Sequence, residues 1–333
     1  MGETLADLGE WELIRRLGAF APPGQFSDDA ALLPLLRDGA LVLNTDVLVE
    51  GIHFSDTTTE PADVGWRAAA ANLSDLAAMG CTEVVGLTVG LVAPADTQWS
   101  WVEGVYRGLT DALGHYGGVV LGGDCSSGTQ RLLAITALGR LSKETGPIRR
   151  SDGRPGDLLV CTGPHGLSRL GLALLQADVA GLTGLDSTLV QRAIQAHQRP
   201  IPRFDAVWTL AGSRPTGQSW RVGGCDSSDG LAGAVATIAA ASGCAARLER
   251  QRLPLDPAMT NLPEAEAWCL GGGEDFELVL ALEPLWAEAL VAALPGATWI
   301  GALLEGPAGV LGWVDGTPWD AAGGTSSGYC HFI

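Results

Sequence analysis

The stretch at residues 41–54, LVLNTDVLVEGIHF, constrains this chain more than any other. An apolar run, Leu41-Val42-Leu43, meets Asn44-Thr45-Asp46, apolar residues resume, and His53 follows. The pattern predicts a strand that delivers Thr45 and Asp46 to its end, with His53 a few residues beyond. Four other stretches also set carboxylates beside apolar segments: SDDAALL at 27–33, NLSDLAAMG at 72–80, GGD at 122–124 and DSSDG at 226–230. Carboxylates gathered among apolar residues need a cationic partner. The sequence therefore predicts a fold that collects these acids around metal ions and a nucleotide.

Composition narrows the class. A chain of 333 residues suggests about two domains. Asp and Glu number 38 against 20 Lys and Arg, for a net charge of −18. That balance argues against nucleic-acid backbones and anionic membranes as partners. Lys143 is the sole lysine, so no Gly-Lys-Ser/Thr phosphate loop can be built. A bound nucleotide must be held through metals, arginine and backbone. Seven cysteines without a C-x-x-C pair, and five histidines without zinc spacing, suggest a reducing, cytoplasmic setting. The acidic N-terminus lacks the apolar core of a signal peptide, and the small-apolar run at 232–246 is too short to span a bilayer.

Along the chain, apolar spacing predicts an N-terminal helix around 5–17 and helices over 66–79 and Trp99–Tyr116. In the helix at 66–79, Asn72 and Asp75 share a side, and Asp75 sits among apolar neighbours that call for a partner. Strands are expected over 84–92, over 119–121 with Asp124 at the end, over 132–138, and at Leu158–Cys161 and Leu278–Leu282. Two glycines in GGD would let backbone approach phosphate closely. The polar interval 143–157, with Arg149 and Arg150, marks a boundary between domains 1–148 and 149–333. Ser168 is positioned to cap a following helix, and Asp226, Ser227 and Ser228 to start another, with Asp229 in its first turn. For DSSDG an ordinary helix cap competes with a phosphate-facing helix start whose acids hold metal. Strands alternating with helices in both halves indicate an α/β or α+β fold.

Taken together, SDDAALL, NTDVLVEGIHF, NLSDLAAMG, GGD, RRSDGRPGD, HQRPIPR, SSDGL, GGGEDFEL and GYCHF resemble the thiamine-monophosphate kinases of the PurM-like ATP-binding superfamily. The resemblance implies a two-domain subunit whose N-terminal domain forms a shared β-barrel at a homodimer interface. It implies transfer of phosphate from ATP to thiamine monophosphate with several Mg²⁺ ions. By motif, Asp29, Asn44, Thr45, Asp46, Asp75, Asp124 and Asp226 would be metal ligands, and Asp229 would help hold a further ion. Gly123, Asp124, Arg150 and Ser228 would contact ATP, and His53, Glu274 and Tyr329 the thiamine phosphate. No covalent nucleophile is expected. Phosphoryl transfer between anionic phosphates needs charge neutralisation and in-line placement, which Mg²⁺ on carboxylates supplies.

The chain departs from the pattern in places. Asn44 stands where Ser or Thr is usual, Phe276 where Tyr is common, and Ser27 where Gly is usual. Cys125 and Cys225 flank the motif acids and read as small fillers rather than redox sensors. Sister enzymes of the superfamily are the rivals: aminoimidazole ribonucleotide synthetase, selenophosphate synthetase and the hydrogenase-maturation type, of which the last two fit less well. The hydrogenase-maturation type carries a C-terminal cysteine, whereas Cys330 here is followed by His331-Phe332-Ile333. Selenophosphate synthetase needs an early reactive cysteine, and the first here is Cys81. A non-catalytic thiamine-phosphate sensor would not need the full set of acids.

Overall fold

The computed structural model describes residues 28, 31–34, 40–143, 145–178, 184–317 and 319. The expected helix at 5–17, and the site candidates Asp29 and Tyr329, lie outside the described residues.

Two sheets organise the chain. The first has the strand order β1-β2-β5-β3-β4, formed by β1 (Ala31–Pro34), β2 (Ala40–Val49), β3 (Cys81–Ala93), β4 (Val119–Ser127) and β5 (Leu132–Leu141). Strand β2 buries Val42, Asn44 and Leu48 and turns Thr45 and Val47 outward, the period of a half-covered sheet. Two helices, α1 (Pro61–Ala78) and α2 (Trp99–Tyr116), are packed together beside this sheet. Their backbones touch: a Cβ added at Gly65 would lie 1.9 Å from the Val105 carbonyl oxygen, and one at Gly108 would lie 1.8 Å from that of Ala62. Only glycine permits this approach.

The second sheet runs β11-β8-β10-β6-β9-β7, from β6 (Leu158–Cys161), β7 (Gly223–Asp226), β8 (Ala245–Leu248), β9 (Leu278–Leu282), β10 (Thr298–Leu304) and β11 (Leu311–Trp313). Around it lie α3 (Leu167–Leu175), α4 (Ser187–Gln198), α5 (Phe204–Gly212), α6 (Leu231–Ala241), α7 (Ala265–Gly271) and α8 (Pro284–Ala293). Every residue of β9 is buried. Leu278, Leu280 and Leu282 join a core that also contains Val42, Leu73 and Leu133 of the first half, whereas Val279 and Ala281 join a second core with Val235 and Ile238. One continuous apolar core thus ties the two sheets together. Among the described residues no helix is long and apolar enough to cross a membrane.

Several element boundaries differ from the sequence expectation. Strand β2 does not end at Asp46 but continues to Val49, because every residue from Leu41 to Val49 has a partner on β5. Strand β4 likewise runs through Asp124 to Ser127, paired in parallel with β3. Polar residues read as strand ends because one face of each strand is not covered by core. Ser168 is not the cap of α3. That helix starts after Gly166, and the Asp275 carboxylate accepts from the amides of Gly166 (2.7 Å) and Ser168 (3.1 Å). The DSSD run is the end of β7 plus a turn, and α6 begins only at Leu231. The five-stranded sheet is open among the described residues, with β1 and β4 at its edges, and forms no closed barrel within one chain.

Candidate active site

The site grows from β2 and α1. Alternation puts Asn44 and Asp46 on the β2 face that meets α1. Asn72, fully buried, receives the Asp46 amide at 3.1 Å and the Asn44 Nδ2 at 3.2 Å on its Oδ1. Its own Nδ2 donates to the Ala68 carbonyl at 2.9 Å, which fixes the amide's orientation. Asn44 Nδ2 also donates to Asp75 Oδ2 at 2.6 Å. From the other sheet, Asp226 ends β7 and accepts from Ser74 Oγ at 2.7 Å. Ser228 Oγ donates to its second oxygen at 3.2 Å.

Electrostatics show how close these acids stand. Burial, then the charges of Asp226 and Asp229, push the Asp46 carboxyl up to about 6. Burial, then Asp46 and Asp226, hold Asp75 well above the usual carboxylate range, against the Asn44 hydrogen bond. Asp226 is raised by burial, opposed by the Ser74 hydrogen bond, the charge of Arg150 and the Ser228 hydrogen bond. Asp46, Asp75, Asp226 and Asp229 therefore form one mutually repelling group at the seam between the two sheets. Arg150 lies beside it, and its backbone amide donates to Asp28 Oδ1 at 2.9 Å, which brings Asp28 to the same seam.

The donor set suits a hard divalent cation. Asn44 Oδ1 is buried and has no hydrogen-bond partner, although the amide's nitrogen has two. A buried oxygen left bare costs stability unless something electropositive meets it. Carboxylates and an amide oxygen are what Mg²⁺ prefers, with water and substrate phosphates completing its shell. Among the described residues no three carboxylate, imidazole or thiol groups converge tightly enough to enclose an ion unaided. An ion here would be shared between one or two side chains and other oxygens.

A second group lies nearby on the same seam. Arg67 of α1, 3% exposed, donates through NH2 to Glu274 Oε1 at 2.6 Å and to the His53 carbonyl at 3.3 Å, and through NH1 to the His197 carbonyl. His53 Nδ1 accepts from the Val49 amide at 3.0 Å, which leaves the ring proton on Nε2. His197 is pushed down to about 4 by burial and by Arg67. Burial would raise the Glu274 carboxyl, yet it lies below its usual range because of Arg67 and His197. His197 is neutral near pH 7, so Arg67 is the charge that keeps Glu274 ionised. The Glu274 amide donates to the Ser228 carbonyl at 2.6 Å, which joins this group to the carboxylate cluster. Glu274 and Phe276 take φ of +57° and +52°, a left-handed backbone rare for such residues and a mark of functional loops.

Thr45, Gly123 and Asp124 are not brought to the carboxylate cluster. Asp124 pairs with Gly90, Gly90 with Ala134, and Ala134 with Val47. It therefore shares a row with Val47, three strands from β2, or about 14 Å at the usual strand spacing. Its face is the open one, opposite Asn44 and Asp46. Thr45 lies on that open face too, where its hydroxyl meets that of Thr136 at 2.7 Å. Gly123 shares the row of Asp46, at the far edge of the sheet.

Arg67, Asn72 and Ser74 were not among the sequence candidates for the site. Their signal was present: with Asp75 they are the four polar residues inside the otherwise apolar run WRAAAANLSDLAAM, which a buried helix tolerates only with partners.

The fold and site define a class. The family model of AIR synthase related protein, N-terminal domain, matches residues 27–141. Across the whole chain, the thiamine-monophosphate kinase of Prochlorococcus marinus is 47% identical, covering 94% of this chain and 93% of the relative. That of Synechococcus elongatus is 48% identical, covering 91% of each. The solved structure of AaThiL complexed with AMPPCP and TMP superposes with a TM-score of 0.84 at 28% identity, covering 100% of both chains. The protein is thus a kinase with a PurM-like two-sheet fold. It belongs to the thiamine-monophosphate kinase family.

Proposed function

We propose that this kinase transfers the γ-phosphoryl group of ATP directly to the phosphate of thiamine monophosphate, giving thiamine diphosphate and ADP. The observation that carries the reading is the group Asp46, Asp75 and Asp226, each raised by burial, and Asp46 and Asp75 further by neighbouring acids, beside the bare Asn44 Oδ1. Bound Mg²⁺ would neutralise the phosphates of both substrates. Asn44, Asp46, Asp75 and Asp226 would share the ions, one or two side chains to each, with Asp229 and Asp29 alongside. Arg150 and Ser228, on either side of Asp226, would contact ATP. His53 and Glu274, joined through Arg67, would face the thiamine phosphate together with Tyr329. The AaThiL complex with AMPPCP and TMP supports both ligand assignments.

The chain needs no nucleophile of its own for this reaction. An acceptor phosphate already carries an anionic oxygen at neutral pH, so no base must strip a proton. Its obstacle is repulsion from the ATP phosphates, which positioned cations and Arg150 relieve. The side chains that could attack phosphorus have other roles: the acids would hold metal, and the His53 Nδ1 accepts from the Val49 amide.

Gly123, Asp124 and Thr45 enter this scheme through a second copy. Strand β1 pairs with residues Ala40 to Leu43 only, so among the described residues the rest of β2 has an open edge. At the other side of the sheet, β4 is exposed along nearly all its length. Two copies that pair β4 against the open part of β2 would close both edges into a shared barrel, and open edges favour such pairing. Asp124 of each copy would then approach Thr45 of the other. Domains 1–148 and 149–333 are the units of this arrangement, and the acidic chain fits a cytoplasmic enzyme.

A coupled ADP-release assay tests the reading with thiamine monophosphate, thiamine, or no acceptor, with Mg²⁺ or with EDTA. ADP release only with thiamine monophosphate and Mg²⁺ is expected. Equal release without acceptor, or full activity in EDTA, would overturn it. Isotope exchange between ADP and ATP without thiamine monophosphate checks the direct route, since fast exchange with a labelled protein would reveal a phosphoenzyme.

A further inference from the structure

Arg67 stands apart from the other arginines because it is almost wholly buried and its contacts reach three separate segments. Its guanidinium leaves α1 and meets the His53 carbonyl in the loop after β2, the Glu274 carboxylate in the loop before β9, and the His197 carbonyl at the end of α4. The first lies in the same half of the chain as Arg67, and the other two lie in the opposite half. Among the described residues the Glu274 carboxylate is held by this ion pair, with the His197 ring 3.4 Å away. Its backbone holds a left-handed φ of +57° on a loop that begins with three glycines. A carboxylate on such a loop would sample several rotamers unless held. Arg67 itself cannot reach solvent at 3% exposure, and its Nε has no partner, so its role is to hold rather than to bind a dissolved ion.

We propose that Arg67 is a positioning residue of the acceptor site: from α1 it sets the place of the Glu274 carboxylate and of the His53 loop, and thereby the fit of the phosphate acceptor. This rests on the reading of His53 and Glu274 as acceptor-side residues. Planarity matters here, because one guanidinium serves three acceptors in fixed directions, whereas a lysine ammonium on a shorter reach serves fewer. Misplacement of a positioning group by about 1 Å is enough to cost on the order of a hundredfold in rate. On the ATP side, Arg150 and Ser228 stand beside Asp226, and the hydrogen bonds of Arg67 go instead to His53, Glu274 and His197.

The test is steady-state kinetics of Arg67→Met and Arg67→Lys, with thiamine monophosphate and ATP varied separately. Arg67→Met should raise KM for thiamine monophosphate at least tenfold while KM for ATP changes less than twofold. Arg67→Lys should show the same split at a smaller size, and it carries the test alone if Arg67→Met does not fold. Equal rises in both KM values would mean a general loss of structure and would overturn the proposal. So would wild-type KM values in both variants. Glu274→Gln separates the two levels of the argument. A raised KM for thiamine monophosphate in Glu274→Gln, with none in the Arg67 variants, sinks the Arg67 role and leaves the acceptor-site reading standing. An unchanged KM in Glu274→Gln removes that reading, and the Arg67 proposal goes with it.

Discussion

Asn44 and Asp75 are joined by a 2.6 Å hydrogen bond from the amide nitrogen, and this bond decides which way the amide faces. The nitrogen is turned to the carboxylate and to Asn72, so the oxygen is turned to the place where no protein donor stands. The departure of Asn44 from the usual Ser or Thr of the family therefore keeps an oxygen ligand available.

Neutralising an acid of the cluster should separate function from stability. Ionised Asp46 and Asp75 repel their neighbours in the metal-free protein. Their folded values lie above the unfolded ones, so they take stability away as pH rises through those values. Asp46→Asn and Asp75→Asn should each abolish turnover yet raise metal-free stability at pH 7, for Asp46→Asn by on the order of 1–3 kcal/mol. Thermal melts with and without Mg²⁺ check this: wild type should gain stability from Mg²⁺ and the variants should gain little. A variant that turns over at the wild-type rate in limiting Mg²⁺ is not missing a metal ligand.

His165 predicts an acid limit to stability. Its Nδ1 lies 3.1 Å from the Gly163 carbonyl and its Nε2 lies 2.9 Å from Ser227 Oγ. A carbonyl only accepts, so Nδ1 carries the proton, while the Ser227 hydroxyl lies between Nε2 and the Glu277 carbonyl, 3.1 Å away. Burial pushes this histidine down to about 4. The folded protein thus binds fewer protons than the unfolded chain between about pH 4 and 6.5, and stability falls as pH drops through that window. The loss is on the order of 3 kcal/mol at its full extent. Denaturant melts from pH 7 to pH 4 on wild type and His165→Asn isolate the effect, because the stability gap between them should shrink by that amount.

The open sheet face predicts a dimer. Val47 is 43% exposed in one chain, in a row with Ala134 and Gly90. Wild type should sediment as a dimer at micromolar concentration. Val47→Asp should sediment as a monomer with unchanged circular dichroism and lose most of its turnover. A monomeric wild type with full activity would show the site to be complete in one chain.

Contact between α1 and α2 predicts a steric limit. At Gly108 an added methyl would strike the Ala62 carbonyl, and backbone cannot yield as a flexible side chain can. Gly108→Ala should cost at least about 2 kcal/mol, despite the better helix propensity of alanine. A denaturant midpoint equal to wild type would mean that the helices can part without penalty.

The sequence was most legible where one force acted alone. Trp99–Tyr116, Leu158–Cys161 and Leu278–Leu282 match the expected elements because apolar spacing settles them. It was least legible where a polar residue sits within a regular element for the sake of a distant partner. Asp46 and Asp124 were taken for strand ends, since nothing local says that a strand can carry a carboxylate through its middle. Ser168 was taken for a cap because the true one, Asp275, lies 107 residues away. Arg67 and Glu274 are 207 residues apart, and no spacing rule links them. The motif acids were visible as a set, but their division between the two faces of the first sheet appears only in strand register.

That register makes β2 sensitive to length in a way that no single side chain is. Asn44 and Asp46 face inward and Thr45 and Val47 outward along one strand. Deleting one residue before Asn44, with the pairing to β5 kept, would turn these two polar side chains out and seat Thr45 and Val47 against α1. Point substitutions can drift at most positions here, but insertions and deletions cannot. Over evolutionary time this strand should vary in letters while its count of residues stays fixed.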